Sequence, residues 1–166
     1  MVTLDESLRL ELLRRREADQ SRDRRLREAV GPDGYHGELS AERAGEWRHI
    51  DEDNAAWLRQ LVTERGWPGR SLGGEDGAHA AWLLAMHAFA DPLLQRECLQ
   101  LLGEAVRVGE AAEQDWASLL DRVLLADGRP QVFGTQLATE EGHYRPERLH
   151  AATALTYCAR GLGSPR

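Results

Sequence analysis

Between Ala78 and Phe89 the chain is apolar almost all the way round a helical wheel, and that one stretch limits the folds open to it. A helix without a polar face has to be surrounded by other elements. The apolar run from Ala80 to Ala90 is broken by His87 and falls far short of the ~20 residues that a bilayer span needs. Its surroundings must therefore come from protein. A chain of 166 residues is long enough to supply them as one domain with a real core.

The flanking patterns are helical too. Leu8, Leu12, Asp19, Leu26 and Val30 recur on one face, which predicts a long helix over 4–30 stopped by Gly31-Pro32-Asp33-Gly34. Residues 35–50 are polar and read as a loop with a short helix around Ala41 to Trp47. A second helix begins near Asp51 or Asp53, carries Ala56, Trp57, Leu61 and Val62 inward, and ends at Gly66-Trp67-Pro68-Gly69. Gly73, Gly74 and Gly77 predict a flexible or tightly turning loop before the central helix. Asp91-Pro92 reads as an N-cap and first-turn proline opening a helix to about Val108, with Leu94, Cys98, Leu101, Leu102 and Ala105 inward. A fifth helix is expected over Ala111 to Leu120, a β-hairpin over about 122–137 turning at Asp127-Gly128, and a last helix over about 146–160. The expected fold is mainly α: a single-domain bundle of five to six helices with one β-hairpin.

Composition narrows the function classes. Twenty-one basic and 28 acidic residues give a net charge of −7, which disfavours a nucleic-acid binder and suits a cytoplasmic protein. The arginines around Arg14-Arg15-Arg16 and from Arg22 to Arg27 alternate with Glu11, Glu17, Asp19, Asp23 and Glu28, the pattern of a solvated helix face. Cys98 and Cys158 stand among apolar neighbours and read as core thiols of a reducing compartment. No charged-then-apolar leader opens the chain, so no signal peptide and no membrane association are expected.

Polar side chains on stripes that should be apolar must find hydrogen bonds or destabilise the fold. Their number here points to a pocket. Asp19 sits midway along the leucine face of the first helix; either it faces solvent or it enters the interior to meet Arg122 or a histidine. His87 lies one turn after Leu83 on the most apolar helix. It is either a hydrogen-bonded core residue or the general acid–base, histidine being the side chain that titrates nearest neutrality. His79 is two turns earlier, ~12 Å along the axis, too far for both imidazoles to hold one metal. No metal-ligand, phosphate-cradling, dinucleotide-binding or serine-elbow motif occurs, and neither a metal nor a cofactor is expected. Asp91 is explained by capping, whereas Gln95 sits beside a buried stripe and could orient a substrate carbonyl or satisfy a backbone group. Asp121-Arg122 precedes the expected hairpin, in which Gln131, Phe133 and Thr135 would share one strand face and Gly134 would admit a close neighbour.

Taken together the chain resembles a family of small bacterial proteins that forms an uncharacterised domain of unknown function. The likeness is carried by Asp19-Gln20 with Arg22, by Asn54 and Trp57, and by Gly66-Trp67-Pro68. It continues through the Gly77-to-Leu84 run ending in His87, Asp91-Pro92 with Gln95, Asp121-Arg122-Val123, and Gly128-Arg129-Pro130-Gln131-Val132-Phe133-Gly134-Thr135-Gln136. The last element is the most specific. Such relatives often carry glutamine before the histidine, an acidic residue two after it, and tyrosine at the Phe133 position; here stand Met86, Phe89 and Phe133. The resemblance implies a site built from His87, Asp19, Asp121, Arg122 and the glutamines, and implies no reaction.

The resulting expectation is a cofactor-independent acid–base enzyme of hydrolase, cyclase or isomerase type acting on a small or peptide-like metabolite. His87 would move the proton, with Asp19 or Asp121 orienting it; Arg122, Gln95, Gln131, Thr135 and Gln136 would hold the substrate. The alternatives are a non-catalytic binding or immunity-type protein and a metal-dependent enzyme.

Overall fold

The computed structural model describes residues 3–30, 41–140 and 143–146. The fold is mainly α. Among the described residues five helices, α1 (Glu6–Val30), α2 (Ala41–Arg65), α3 (Arg70–His87), α4 (Pro92–Arg107) and α5 (Glu113–Ala126), precede two short strands, β1 (Leu137–Glu140) and β2 (His143–Pro146). Contacts divide the chain into two compact units, Met1–Ala111 and Ala112–Arg166.

In the first unit α3 is the central helix, packed on α1, α2 and α4, while α2 also meets α1 and α4. Small residues make that possible. Gly73, Gly77, Ala78, Ala80, Ala81 and Ala85 are buried along α3, and a Cβ at Gly73 or Gly77 would stand 3.5 Å from Leu12 Cδ1. α1 answers with Leu8, Leu12, Arg15 and Asp19 as its buried stripe. Asp5 starts it, accepting from the Leu8 amide at 3.0 Å.

Several boundaries differ from expectation. α2 is one continuous helix from Ala41, where a loop with a short helix around Ala41 to Trp47, and a separate helix starting near Asp51 or Asp53, were expected. Polar composition alone does not separate a solvated helix from a loop, and tertiary packing of its second half supports the whole length. Its inward face is Asn54, Ala55, Leu58, Leu61 and Val62, with Ala56 exposed and Trp57 half-buried. α3 begins at Arg70, eight residues before the expected start, and absorbs the glycine-rich segment through a kink at Gly74 (φ 74°, ψ 166°). Only glycine adopts that conformation readily, and its Cβ would press on Arg9 Cδ at 3.1 Å. α4 starts as expected: Asp91 caps it, accepting from the Leu94 amide at 3.0 Å, with Pro92 in the first turn.

In the second unit the expected hairpin over 122–137 is corrected. Residues 122–126 belong to α5, and the antiparallel pairing lies later, with Leu137 opposite Pro146 and Glu140 opposite His143. Asp127-Gly128 ends the helix: Gly128 takes φ 72°, and the Gly128 and Arg129 amides return to the Leu125 and Leu124 carbonyls. The same dipeptide serves a hairpin turn and a left-handed helix stop, so local chemistry alone cannot choose between them. The expected last helix, Cys158, and the stop at Gly31 to Gly34 lie outside the described residues, as do the side chains of Leu26 and Val30.

Candidate functional site

The first unit brings two of the candidate residues into contact. Asp19 projects from the buried stripe of α1, one turn past Arg15, and is completely buried. His87 is the last residue of α3, and its Nδ1 lies 2.8 Å from each Asp19 carboxylate oxygen. The His87 side chain keeps 18% of its surface exposed. An ionised carboxylate only accepts, so Nδ1 carries the hydrogen and the lone pair of the neutral ring is on Nε2. The phenyl ring of Phe89, half exposed, stacks on the imidazole at a centroid distance of 5.7 Å. Met86 is buried.

Gln95 serves the same corner differently. It is buried, and its Nε2 donates to the Ala85 and Met86 carbonyls at 3.0 and 3.2 Å. These are carbonyls of the last turn of α3, which lack i+4 helical donors; Ala85 also accepts from the Ala88 amide at 3.3 Å. Gln95 thus fastens the end of the helix that carries His87. His79 is exposed and stacks on Trp82 at 4.7 Å.

Asp91 both caps α4 and pairs with Arg59. Burial pushes its carboxyl up, but the Arg59 guanidinium and the Leu94 amide outweigh that, leaving it below the usual carboxylate range. Burial drives the Cys98 thiol up to about 12, as suits an inert core residue.

The second unit assembles the remaining candidates around a loop. Asp121, completely buried on α5, accepts from the amides of Val132 (2.7 Å), Phe133 (3.0 Å) and Thr135 (3.0 Å) and from the Thr135 hydroxyl (2.9 Å). Gln131 and Gln136 clasp each other: Gln131 Nε2 donates to the Gln136 carbonyl and Gln131 Oε1 accepts from its amide, both at 2.9 Å. Gln136 Nε2 reaches the Ser118 carbonyl at 3.1 Å and Thr135 Oγ1 at 3.0 Å. Asp121, Gln131, Thr135 and Gln136 form a network that shapes the loop from 131 to 136. Arg122 is half-buried on α5. Phe133 is half exposed, edge-on to Trp116 at 6.0 Å.

Two polar residues outside the candidate set are also buried. Arg15 and Asn54 are joined by a bond from Arg15 Nη1 to Asn54 Oδ1 at 3.0 Å. Arg15 falls between Leu12 and Asp19 on the α1 stripe, a spacing that could have singled it out from its solvated neighbours. Among the described residues no three His, Cys, Asp or Glu side chains are grouped to hold a metal ion, and no helix is long and apolar enough to cross a membrane.

The model of a family of unknown function (DUF6624) matches residues 6–146. No curated protein and no solved structure matches the chain.

Proposed function

We propose that this chain, which belongs to that family of unknown function, is a small cofactor-independent enzyme in which the Asp19–His87 pair performs acid–base chemistry on a small or peptide-like metabolite. One observation carries the reading: a fully buried carboxylate grips Nδ1 of an imidazole that still reaches the surface. Asp19 fixes the ring orientation and the tautomer, and its charge balances the imidazolium formed when Nε2 takes a proton. Nε2 then returns that proton to the leaving or rearranged group. Hydrolysis, cyclisation and isomerisation all fit such a shuttle, and a bacterial biosynthetic setting is consistent with it. Gln95 contributes by holding the end of α3 in place. The roles in substrate binding expected for Gln131, Thr135 and Gln136 do not enter the proposal, because these side chains are engaged in shaping their own loop.

The test is turnover of a panel of activated esters, lactones and short peptides by the unaltered protein and by His87→Gln. The expected result is turnover of at least one compound, reduced ~10²–10⁴-fold in the variant, with the melting temperature within a few degrees. Unchanged turnover in the variant, or no turnover of any compound, contradicts the proposal.

A second reading, a non-catalytic binding or immunity-type protein, is favoured by the exposed apolar side chains of Val132, Phe133 and Leu137 in the second unit. It predicts a saturable complex with a macromolecular partner that His87→Gln leaves unchanged and Phe133→Ser weakens.

A further inference from the structure

Between α1 and α2 lies a cleft of about 160 Å³ lined by Arg14, Arg15, Ala18, His49, Asp53 and Asn54, among others. At ~30 Å³ per water it has room for about five waters, or for an organic molecule of a few heavy atoms. Its wall contains an unmet donor. Asn54 is 6% exposed, and its Nδ2 is buried without a hydrogen-bond partner. The orientation of that amide is forced: Oδ1 faces the Arg15 guanidinium at 3.0 Å, and turning the amide over would set donor against donor.

Arg15 is held just as firmly. Nε donates to Glu11 at 2.7 Å, Nη1 to Asp53 and Asn54, and the guanidinium lies over the Trp57 ring at 4.6 Å. Nη2 makes no protein hydrogen bond among the described residues. Of the two, Asn54 Nδ2 is the buried one, and a buried idle donor costs free energy unless a ligand or water completes it.

We infer that this cleft binds a small monocarboxylic acid, whose two oxygens accept from Asn54 Nδ2 and Arg15 Nη2. A carboxylate offers two acceptor atoms, one for each of these donors. Glu11 and Asp53 already offset the charges of Arg14 and Arg15, which leaves no excess positive charge to hold a polyanion. Neither donor belongs to the Asp19–His87 pair, so the inference stands apart from the proposed chemistry.

The experiment is a titration of the full chain with sodium acetate at constant ionic strength, following the side-chain resonances of Asn54 and Arg15 by nitrogen-15 NMR. Acetamide, inorganic phosphate and sodium chloride serve as parallel probes. Acetate is expected to move both resonances along a saturating curve, with acetamide and phosphate at least tenfold weaker and chloride without effect. Asn54→Asp keeps the acceptor for Arg15 and removes the donor, and should weaken acetate at least tenfold at an unchanged melting temperature. Should that variant fail to fold, Asn54→Leu removes the same donor, together with the acceptor for Arg15. His87→Gln should bind acetate as the unaltered protein does. Equal shifts with chloride, tighter binding of phosphate, or undiminished acetate binding in the Asn54 variants would overturn the inference.

Discussion

Replacing Asp121 by asparagine should loosen the loop from 131 to 136 without unfolding the helix that carries it. The buried carboxylate accepts from three amides and one hydroxyl, at 2.7–3.0 Å. At ~1.5–3 kcal/mol for each bond to a charged group, four such bonds would sum to ~6–12 kcal/mol if all were lost and nothing replaced them. Neither condition holds. Val132, Phe133 and Thr135 are exposed residues, so their released amides can turn to water, and asparagine keeps one oxygen for part of the set. Its NH₂, however, then faces amide donors. The balance is ~2–4 kcal/mol of local stability, or about a hundredfold loss of protection at the midpoint, since ~1.4 kcal/mol corresponds to a factor of ten. Hydrogen exchange at the amides of Val132, Phe133 and Thr135 reads this directly, with the α5 amides as the internal reference. A change below about threefold would show that the carboxylate does not organise the loop, and would return Asp121 to the set of residues kept for chemistry.

Other consequences can be checked alongside. Asp91 has a lowered carboxyl pKa, so the stability it supplies is fully present above the unfolded value of ~3.9 and is lost as pH falls through the folded value. Asp91→Asn should therefore melt lower by the equivalent of ~1 kcal/mol at neutral pH, and the gap should close below about pH 4; a gap unchanged in strong acid contradicts this. Gln95→Leu takes the side-chain donor from the Ala85 and Met86 carbonyls, leaving Ala85 only the Ala88 amide, and should cost ~2 kcal/mol by urea denaturation. A loss under ~0.5 kcal/mol would show that the amide is dispensable to the end of α3. For His87, nitrogen-15 NMR should find hydrogen on Nδ1 in the neutral ring, lost to a mixture of tautomers in Asp19→Asn. A neutral ring protonated on Nε2 in the unaltered protein would refute the assignment.

The sequence announced the pairing of Asp19 with His87 only in part. Each interrupts an apolar helical face, which predicts a buried partner for Asp19 without identifying which histidine or arginine it is. Contact between α1 and α3 decides it, and that contact depends on glycines and alanines whose role emerges only when two helices are set side by side. Asp91-Pro92 was legible because a cap is a local event confined to a few residues. The continuity of α2 was not, since a short helical stretch around Ala41 to Trp47 followed by capping residues Asp51 and Asp53 reads as two pieces. Gly74 hid the first turns of α3 for a related reason: a glycine that kinks a helix and one that ends it look alike in sequence. In the second unit the polar density of residues 131–136 reads in sequence as a set of substrate-binding groups. In the structure the same residues join Asp121 in a hydrogen-bond network, which sequence cannot distinguish from a set of ligand-binding groups.

The proposed function rests on Asp19 and His87 acting as one unit, and a double-mutant cycle on turnover tests that most directly. Groups that work as a unit lose most of their effect when either is removed, so Asp19→Asn, His87→Gln and the double variant should turn over the same compound at nearly the same residual rate. Independent losses that multiply in the double variant, or full turnover in either single variant, would contradict the account.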